Sequence, residues 1–498
     1  MIDLKTKEVW FITGSQELYG EETLNQVRDH SKKIVEGFNR SGTFPVTFVW
    51  KPVLTSSEQI KRTCMEANGA ENCIGIVTWM HTFSPARMWL AGLSVLRKPL
   101  LHLHTQFNRE IPWAAIDMDF MNLNQSAHGG REYGFAVSRL GIERKVVVGY
   151  WEDESVHSKL GVWLRAAAAH HDAQGAKIAR FGDNMRQVAV TEGDKVEAQM
   201  VFGYEVNGYP IGDLVPYIHD VDGKQLDTLI EEYRELYTID KTLLSDGSHY
   251  ERLVEAAKIE AGMRNFLREG DFKGFTTNFE ELHGVNQLPG LAVQRLMAEG
   301  YGFGAEGDWK TSALLRAMKV MSAGLEGGTS FMEDYTYHFE KNNHLVLGAH
   351  MLEICPSVAS EKPSIEAHPL SIGGKDDPVR LVFEAAPGPA LNVTIIDLGH
   401  RFRMIVNEVE VVRAEHELPN LPVARAVWKP KPDLETAAAG WILAGGAHHT
   451  GFSLALTTEY LEDFAAMNDI EFLLIDDTTA LRELKNTLHW NEAYYRLR

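Results

Sequence analysis

The chain has 498 residues, 44% of them hydrophobic and 24% charged, with a formal net charge of −20. That length exceeds what one hydrophobic core can serve, so roughly two to four domains are expected. The acidic balance argues against a phosphate-backbone binder, which needs clustered Lys and Arg, and no run reaches the ~18 apolar residues of a membrane span. Residues 1–10 are charged and lack the apolar core and cleavage site of a signal peptide. Cys64, Cys73 and Cys355 have no metal-type spacing and suit buried thiols in a reducing compartment. A cytoplasmic protein is expected.

The first ~180 residues alternate short apolar runs with amphipathic stretches, the signature of a parallel sheet with crossover helices. Residues 9–13 read as the first strand, followed by a turn from Gly14 to Gly20. Residues 22–40 place Leu24, Val27, Ile34, Val35 and Phe38 mostly on one helical face. Residues 46–50, 74–78, 100–102 and 145–150 repeat the strand signal, with helices predicted at 56–67 and 85–96. One more strand is predicted at 177–181, with a domain edge near 175. Residues 182–328 are mixed, with a long helical region near 225–270 and a second run at 310–321. Beyond 375 come β-rich runs at 379–385, 391–398 and 402–412, which suggest an antiparallel or barrel-like unit. Helices return at 459–467 and 480–495, and no internal repeat is present. The expected architecture is α/β: an N-terminal domain (1–175) and a central domain (176–327) with parallel sheets, then a β-rich, barrel-like C-terminal domain (328–498).

Four segments set ionisable residues among glycines and apolar neighbours: 305–310 (AEGDWK), 327–335 (GGTSFMEDY), 348–353 (GAHMLE) and 443–450 (LAGGAHHT). A buried carboxylate needs a compensating cation, so glutamates and histidines in such settings are metal-ligand candidates. Two carboxylates with two imidazoles suit octahedral Mn²⁺, Mg²⁺ or Co²⁺ with positions left for substrate oxygens; ligand type alone leaves zinc open. No HExxH-type spacing ties the four to one face. Each has a plainer reading: Glu306 as a carboxylate at a helix start, Glu333 and Asp334 as a solvated loop, His350 as a core histidine, His448-His449 as a turn. Neighbours on an extended segment point oppositely, so one of His448 and His449 is expected to face a metal. In the N-terminal half, 14–20 (GSQELYG), 81–83 (HTF) and 124–131 (NQSAHGGR) are polar clusters in apolar surroundings. The first lies where α/β sheets bind ligands, yet it lacks the GxGxxG order of a dinucleotide site.

Residues 9–20, 81–85 (HTFSP), 117–125 (DMDFMNLNQ), 181–186 (FGDNMR), 302–310, 327–340, 350–357, 373–378 (GGKDDP) and 444–450 resemble the L-arabinose isomerase family, with similarity running from near residue 8 to Tyr495. The resemblance implies isomerisation of L-arabinose to L-ribulose, with D-galactose to D-tagatose as side activity, and a fucose isomerase-like fold. It implies one divalent ion per site, typically Mn²⁺ with Co²⁺ or Mg²⁺ as substitutes, held by Glu306, Glu333, His350 and His449. Glu306 and Glu333 double as the acid/base pair, their roles not separable from sequence. Gln16, Leu18, Tyr19, Phe83, Gln125, His128, Met185, Thr276, Phe279, Tyr335 and Ile372 are the implied sugar-pocket residues. A homohexamer with active sites shared between subunits is implied, with no nucleic-acid or membrane partner. The rival readings are a metal-dependent hydrolase or aldolase, which would cleave its substrate, and a sugar-binding module, which would bind arabinose without turning it over.

Overall fold

A computed structural model of the chain describes residues 2–370 and 374–497. By internal contacts the chain divides into two units, one of residues 3–171 with 462–469 and one of residue 2, 172–461 and 470–497.

In the first unit, β1 (Glu8–Gly14), β2 (Thr47–Trp50), β3 (Cys73–Met80), β4 (Leu100–His104) and β5 (Lys145–Val148) form a parallel sheet in the order β2-β1-β3-β4-β5. Every residue of β3 is buried, so it reads as a continuous apolar run instead of an alternating one. Helix Gly20–Ser41 buries Val27, Ile34, Val35 and Phe38 and ends at Gly42, whose φ of 66° gives the left-handed cap glycine adopts freely. The helix predicted at 85–96 shrinks to Ala86–Met88 and Leu90–Leu93. Further on, Pro99 disfavours helical backbone at Lys98 ahead of β4, and its carbonyl accepts from Ile76 N at 2.9 Å.

Among the described residues the second unit holds three sheets. β6 (Lys177–Phe181), β7 (Glu205–Tyr209), β9 (Phe272–Thr276) and β10 (Gly302–Gly304) form a parallel sheet in the order β10-β9-β6-β7. The single helical region predicted near 225–270 is two helices, Gly223–Leu236 and Tyr250–Glu269. Between them Thr238–Ile239 (β8) pairs with β13 (Ser364–Ala367), and Asp240 caps the turn Lys241–Leu243. Tertiary pairing of β8 overrides local helical preference there. β14 (Val379–Val382) completes that small sheet.

β11 (Thr329–Glu340), β12 (Asn343–Ala349), β15 (Gly388–Asp397), β16 (Phe402–Val412), β17 (Arg425–Pro430) and β18 (His449–Ser453) run β15-β18-β11-β12-β17-β16, and β15 pairs again with β16 to close an antiparallel barrel. β19 (Glu471–Ile475) adds to β16 in parallel. Gly348 is where the wall admits Trp428: a Cβ there would lie 1.9 Å from the indole. The fold class expected from the apolar periodicity, parallel α/β followed by a β-barrel, is the one observed.

Candidate metal and substrate site

Three neighbouring strands of the barrel wall, β18, β11 and β12, set one half of the site. Glu333 lies opposite His449 across one ladder and opposite Ala349 across the other. Residues directly opposite share a face of the sheet, so register alone aligns Glu333 with His449. His350 follows Ala349 at the end of β12, and its Nε2 stands 3.8 Å from Glu333 Oε2.

The other half comes from the end of β10. Glu306 sits in the turn Ala305–Gly307 with φ 58° and ψ 25°, a left-handed conformation that costs a non-glycine residue about 1–2 kcal/mol. Two residues on, Asp308 caps helix Trp309–Met321, with Thr311 Oγ1 donating to Oδ2 at 2.8 Å. The donor atoms of Glu306, His350 and His449 all lie within 4.8 Å of one another. Glu306 Oε2 is 3.6 Å from His448 Nε2 and 3.7 Å from His449 Nε2. Both rings of the pair therefore reach the same carboxylate, although His449 is fully buried and His448 is partly exposed.

Each buried imidazole is oriented through its other nitrogen. His350 Nδ1 pairs with Glu353 Oε2 at 2.5 Å, and His449 Nδ1 with Asp308 Oδ2 at 3.1 Å. Such carboxylate–histidine pairs fix the tautomer and leave Nε2 as an electron-pair donor. His449 Nε2 is buried with no hydrogen-bond partner among the described residues. Burial disfavours the His350 cation, but Glu353 first, then Glu333 and Glu306, outweigh it and hold its pKa above the ordinary value. The His448 ring 3.6 Å away lowers the Glu306 pKa against the opposing pull of burial, helped by the charges of His449 and His350. His448 is raised by the same carboxylate. Burial pushes the Asp308 carboxyl up, yet Lys310, 3.4 Å away, and His449 hold it well below the usual range. This is a concentrated oxygen and nitrogen donor set in a buried setting, able to hold a divalent cation.

Of the other sequence-predicted residues in this unit, Phe279 stacks near His350 at 6.0 Å and Met185 N donates to the Glu306 carbonyl at 3.0 Å. Thr276 ends β9 with its buried Oγ1 unpartnered among the described residues. Tyr335 is half exposed, its pKa raised by burial and then by Glu333 and Glu306. Ile372 lies outside the described residues. In the first unit, the loops after β1 and β3 meet the helix Ser126–Arg139. Gln16 Nε2 donates to the Phe83 carbonyl at 3.2 Å, Gln125 Nε2 to Tyr19 Oη at 3.2 Å, and Phe83 and His128 rings are 4.6 Å apart. Leu18 projects, 84% exposed.

Asp308 and Glu353 lay inside the singled-out segments without a role assigned to them. The available signal for Asp308 was its position at a helix start; nothing local in the sequence pairs Glu353 with His350.

Family profiles for the N-terminal, central and C-terminal domains of L-arabinose isomerase match residues 3–175, 177–324 and 328–471. An L-arabinose isomerase of Herpetosiphon aurantiacus is 62% identical over 497 residues, covering 100% of this chain and 99% of the relative. That of Geobacillus kaustophilus is 61% identical over 496 residues with 100% of both covered, and that of Koribacter versatilis 63% over 497 residues, covering 100% and 99%.

Proposed function

This chain belongs to the L-arabinose isomerase family, an aldose–ketose isomerase family, and from that membership we propose that its Glu306–Glu333–His350–His449 centre converts L-arabinose to L-ribulose by metal-assisted proton transfer. The observation that carries the reading is the convergence of Glu306, His350 and His449 within 4.8 Å. A metal fits these residues: among the described residues His449 Nε2 is buried without a partner, and both Nδ1 atoms are already given to carboxylates. Glu306, His350 and His449 would hold the ion, with Glu333 beside His350 as the fourth ligand. When bound, a divalent ion, Mn²⁺ by family resemblance and Co²⁺ or Mg²⁺ as substitutes, polarises the sugar oxygens and acidifies the C2 proton.

The side chains do the rest. One of Glu306 and Glu333 takes the proton from C2, giving the cis-enediol in its enediolate form. Return of a proton to C1, with the C2 hydroxyl proton passing to O1, completes the ketose. The two carboxylates stand in different surroundings, Glu306 against His448 and His449 and Glu333 against His350, which suits a division into acid and base. By family resemblance Gln16, Tyr19, Gln125, His128 and Tyr335 would offer hydroxyl partners to a sugar and Leu18, Phe83, Met185 and Phe279 apolar contacts, with Thr276 between the two kinds. The same proposal includes turnover of D-galactose to D-tagatose, domains at 1–175, 176–327 and 328–498, and a homohexamer whose subunits share active sites. A cytoplasmic location suits three buried free thiols, Cys64, Cys73 and Cys355.

The test is turnover of L-arabinose with Mn²⁺ supplied in deuterated water. Solvent deuterium is expected at C1 of the L-ribulose, and Glu306→Gln and Glu333→Gln are each expected to abolish turnover in folded protein. Near-normal turnover by either variant would overturn the acid/base assignment; binding of arabinose without any ketose would overturn the reaction.

A further inference from the structure

The motif at residues 181–186 has no part in the proton transfers, yet it is bonded to the turn that bears Glu306. β6, β9 and β10 are neighbours in one parallel sheet, so their carboxyl ends release three loops along one edge. Those loops lock together. Met185 N donates to the Glu306 carbonyl at 3.0 Å, and Gly307 N to the Thr277 carbonyl at 3.0 Å. Asn278 Nδ2 donates to the Asp183 carbonyl at 3.0 Å.

Asn184 is the buried hub, 5% exposed. Its Nδ2 donates to the Thr191 carbonyl at 2.5 Å and reaches the Gly307 carbonyl at 3.5 Å. Its Oδ1 accepts from Arg180 Nη1 at 2.5 Å, and the same guanidinium pairs with Asp183 at 2.9 Å. The approach of the two loops is as close as backbone allows: a Cβ on Gly307 would stand 2.7 Å from Asn184 Cα and 2.8 Å from the Asp183 carbonyl oxygen. A non-glycine residue in the left-handed region persists only where its surroundings over-determine it. Glu306 is one of five such described residues, with Gln187 of the facing loop another, and the bonds above are the surroundings that hold it.

We infer that Asn184 is a positioning residue for Glu306: by tying the 182–191 loop against Gly307 it holds Glu306 in its left-handed conformation and keeps the carboxylate turned toward His449. This rests on the reading of Glu306 as a ligand and proton-transfer group. Loss of the tie lets residue 306 relax toward ordinary backbone angles and swings its carboxylate away from the two imidazoles.

A buried asparagine elsewhere in the same unit separates positioning from simple stability. Asn407 is 6% exposed, and its Nδ2 donates to the carbonyls of Glu408, Lys431 and Ile475, none of them a site residue. The experiment compares Asn184→Ala, Asn184→Asp, Asn407→Ala and Glu306→Gln in the full chain. Mn²⁺ affinity is read from the free-ion resonance, alongside kcat, KM for L-arabinose and Tm. Asn184→Asp keeps the acceptor for Arg180 and removes the donor. Both Asn184 variants are expected to weaken Mn²⁺ binding and lower kcat by about 10- to 100-fold, with KM little changed. Asn407→Ala is expected to lower Tm without moving Mn²⁺ affinity. Asn184 variants that bind Mn²⁺ and turn over normally, or whose losses Asn407→Ala reproduces, would overturn the inference while Glu306→Gln remains inactive. If Glu306→Gln itself keeps Mn²⁺ affinity and turnover, the reading of the centre falls first and the inference with it.

Discussion

Two sets of buried histidines lie in this chain, in opposite electrostatic surroundings. In the first unit, His81 stacks on Trp79 at 4.4 Å and its Nε2 meets His30 Nδ1 at 2.8 Å. Burial, then the neighbouring His30, pushes its pKa down to about 3. His102 is likewise lowered to about 3, by burial and then by His104 and Arg144. In the second unit, His350 is equally buried, but Glu353, Glu333 and Glu306 raise it. Burial by itself makes a neutral, inert imidazole. A carboxylate on the second nitrogen is what turns a buried ring into a candidate ligand.

The contrast can be tested from its largest consequence downward. His81 and His102 have folded pKa values below the ordinary 6.5, so the unfolded chain binds more protons between about 3 and 6.5. Their contribution to stability is complete above pH 6.5 and is lost as pH falls, at about 1.4 kcal/mol per pH unit for each ring. Urea unfolding from pH 7 to 4 should show this acid limb, and His81→Phe should make it shallower; an unchanged slope would contradict the account. Mn²⁺ should act on the other set alone: at about 100 times its Kd it stabilises by about 2.7 kcal/mol. Thermal melts with the ion and with a chelator measure this, and melting points that coincide would count against the centre.

Glu353→Gln keeps the shape and removes the charge beside His350. It should weaken Mn²⁺ binding by about 10- to 100-fold, and titration calorimetry that finds the affinity unaltered would erase the distinction between the two histidine sets. The smallest effect is expected at His448: among the described residues no carboxylate pairs with its second nitrogen as Asp308 does with that of His449. His448→Gln should reduce kcat by less than about 10-fold, below the loss at His449→Gln, because second-nitrogen orientation is absent there to begin with. The reverse order would mean that His448 is the ligand.

How much was legible varies along the chain for physical reasons. The first helix showed itself through Val27, Ile34, Val35 and Phe38, since a helix packed on a sheet must bury one stripe. The break at Tyr237 was hidden, because β8 exists only through its pairing with Ser364 and Ile365, more than a hundred residues away. The hairpin β11–β12 was hidden too: its segments stood out for glycine and charge, and Gly348 is there to admit Trp428, which the local sequence does not announce.

Composition, apolar periodicity and residue type by themselves determined the parallel α/β halves, the β-rich end and the four site segments, because these depend on which side chains avoid water. Resemblance to a family selected His449 from the pair. Only the tertiary structure decided how those segments come together: Glu333 faces His449 through strand register, Asp308 and Glu353 pair with the second nitrogens of the rings, and Asn184 reaches the Gly307 carbonyl beside Glu306. These are contacts between residues distant in sequence or between atoms whose direction the backbone sets, and a linear pattern carries no term for either.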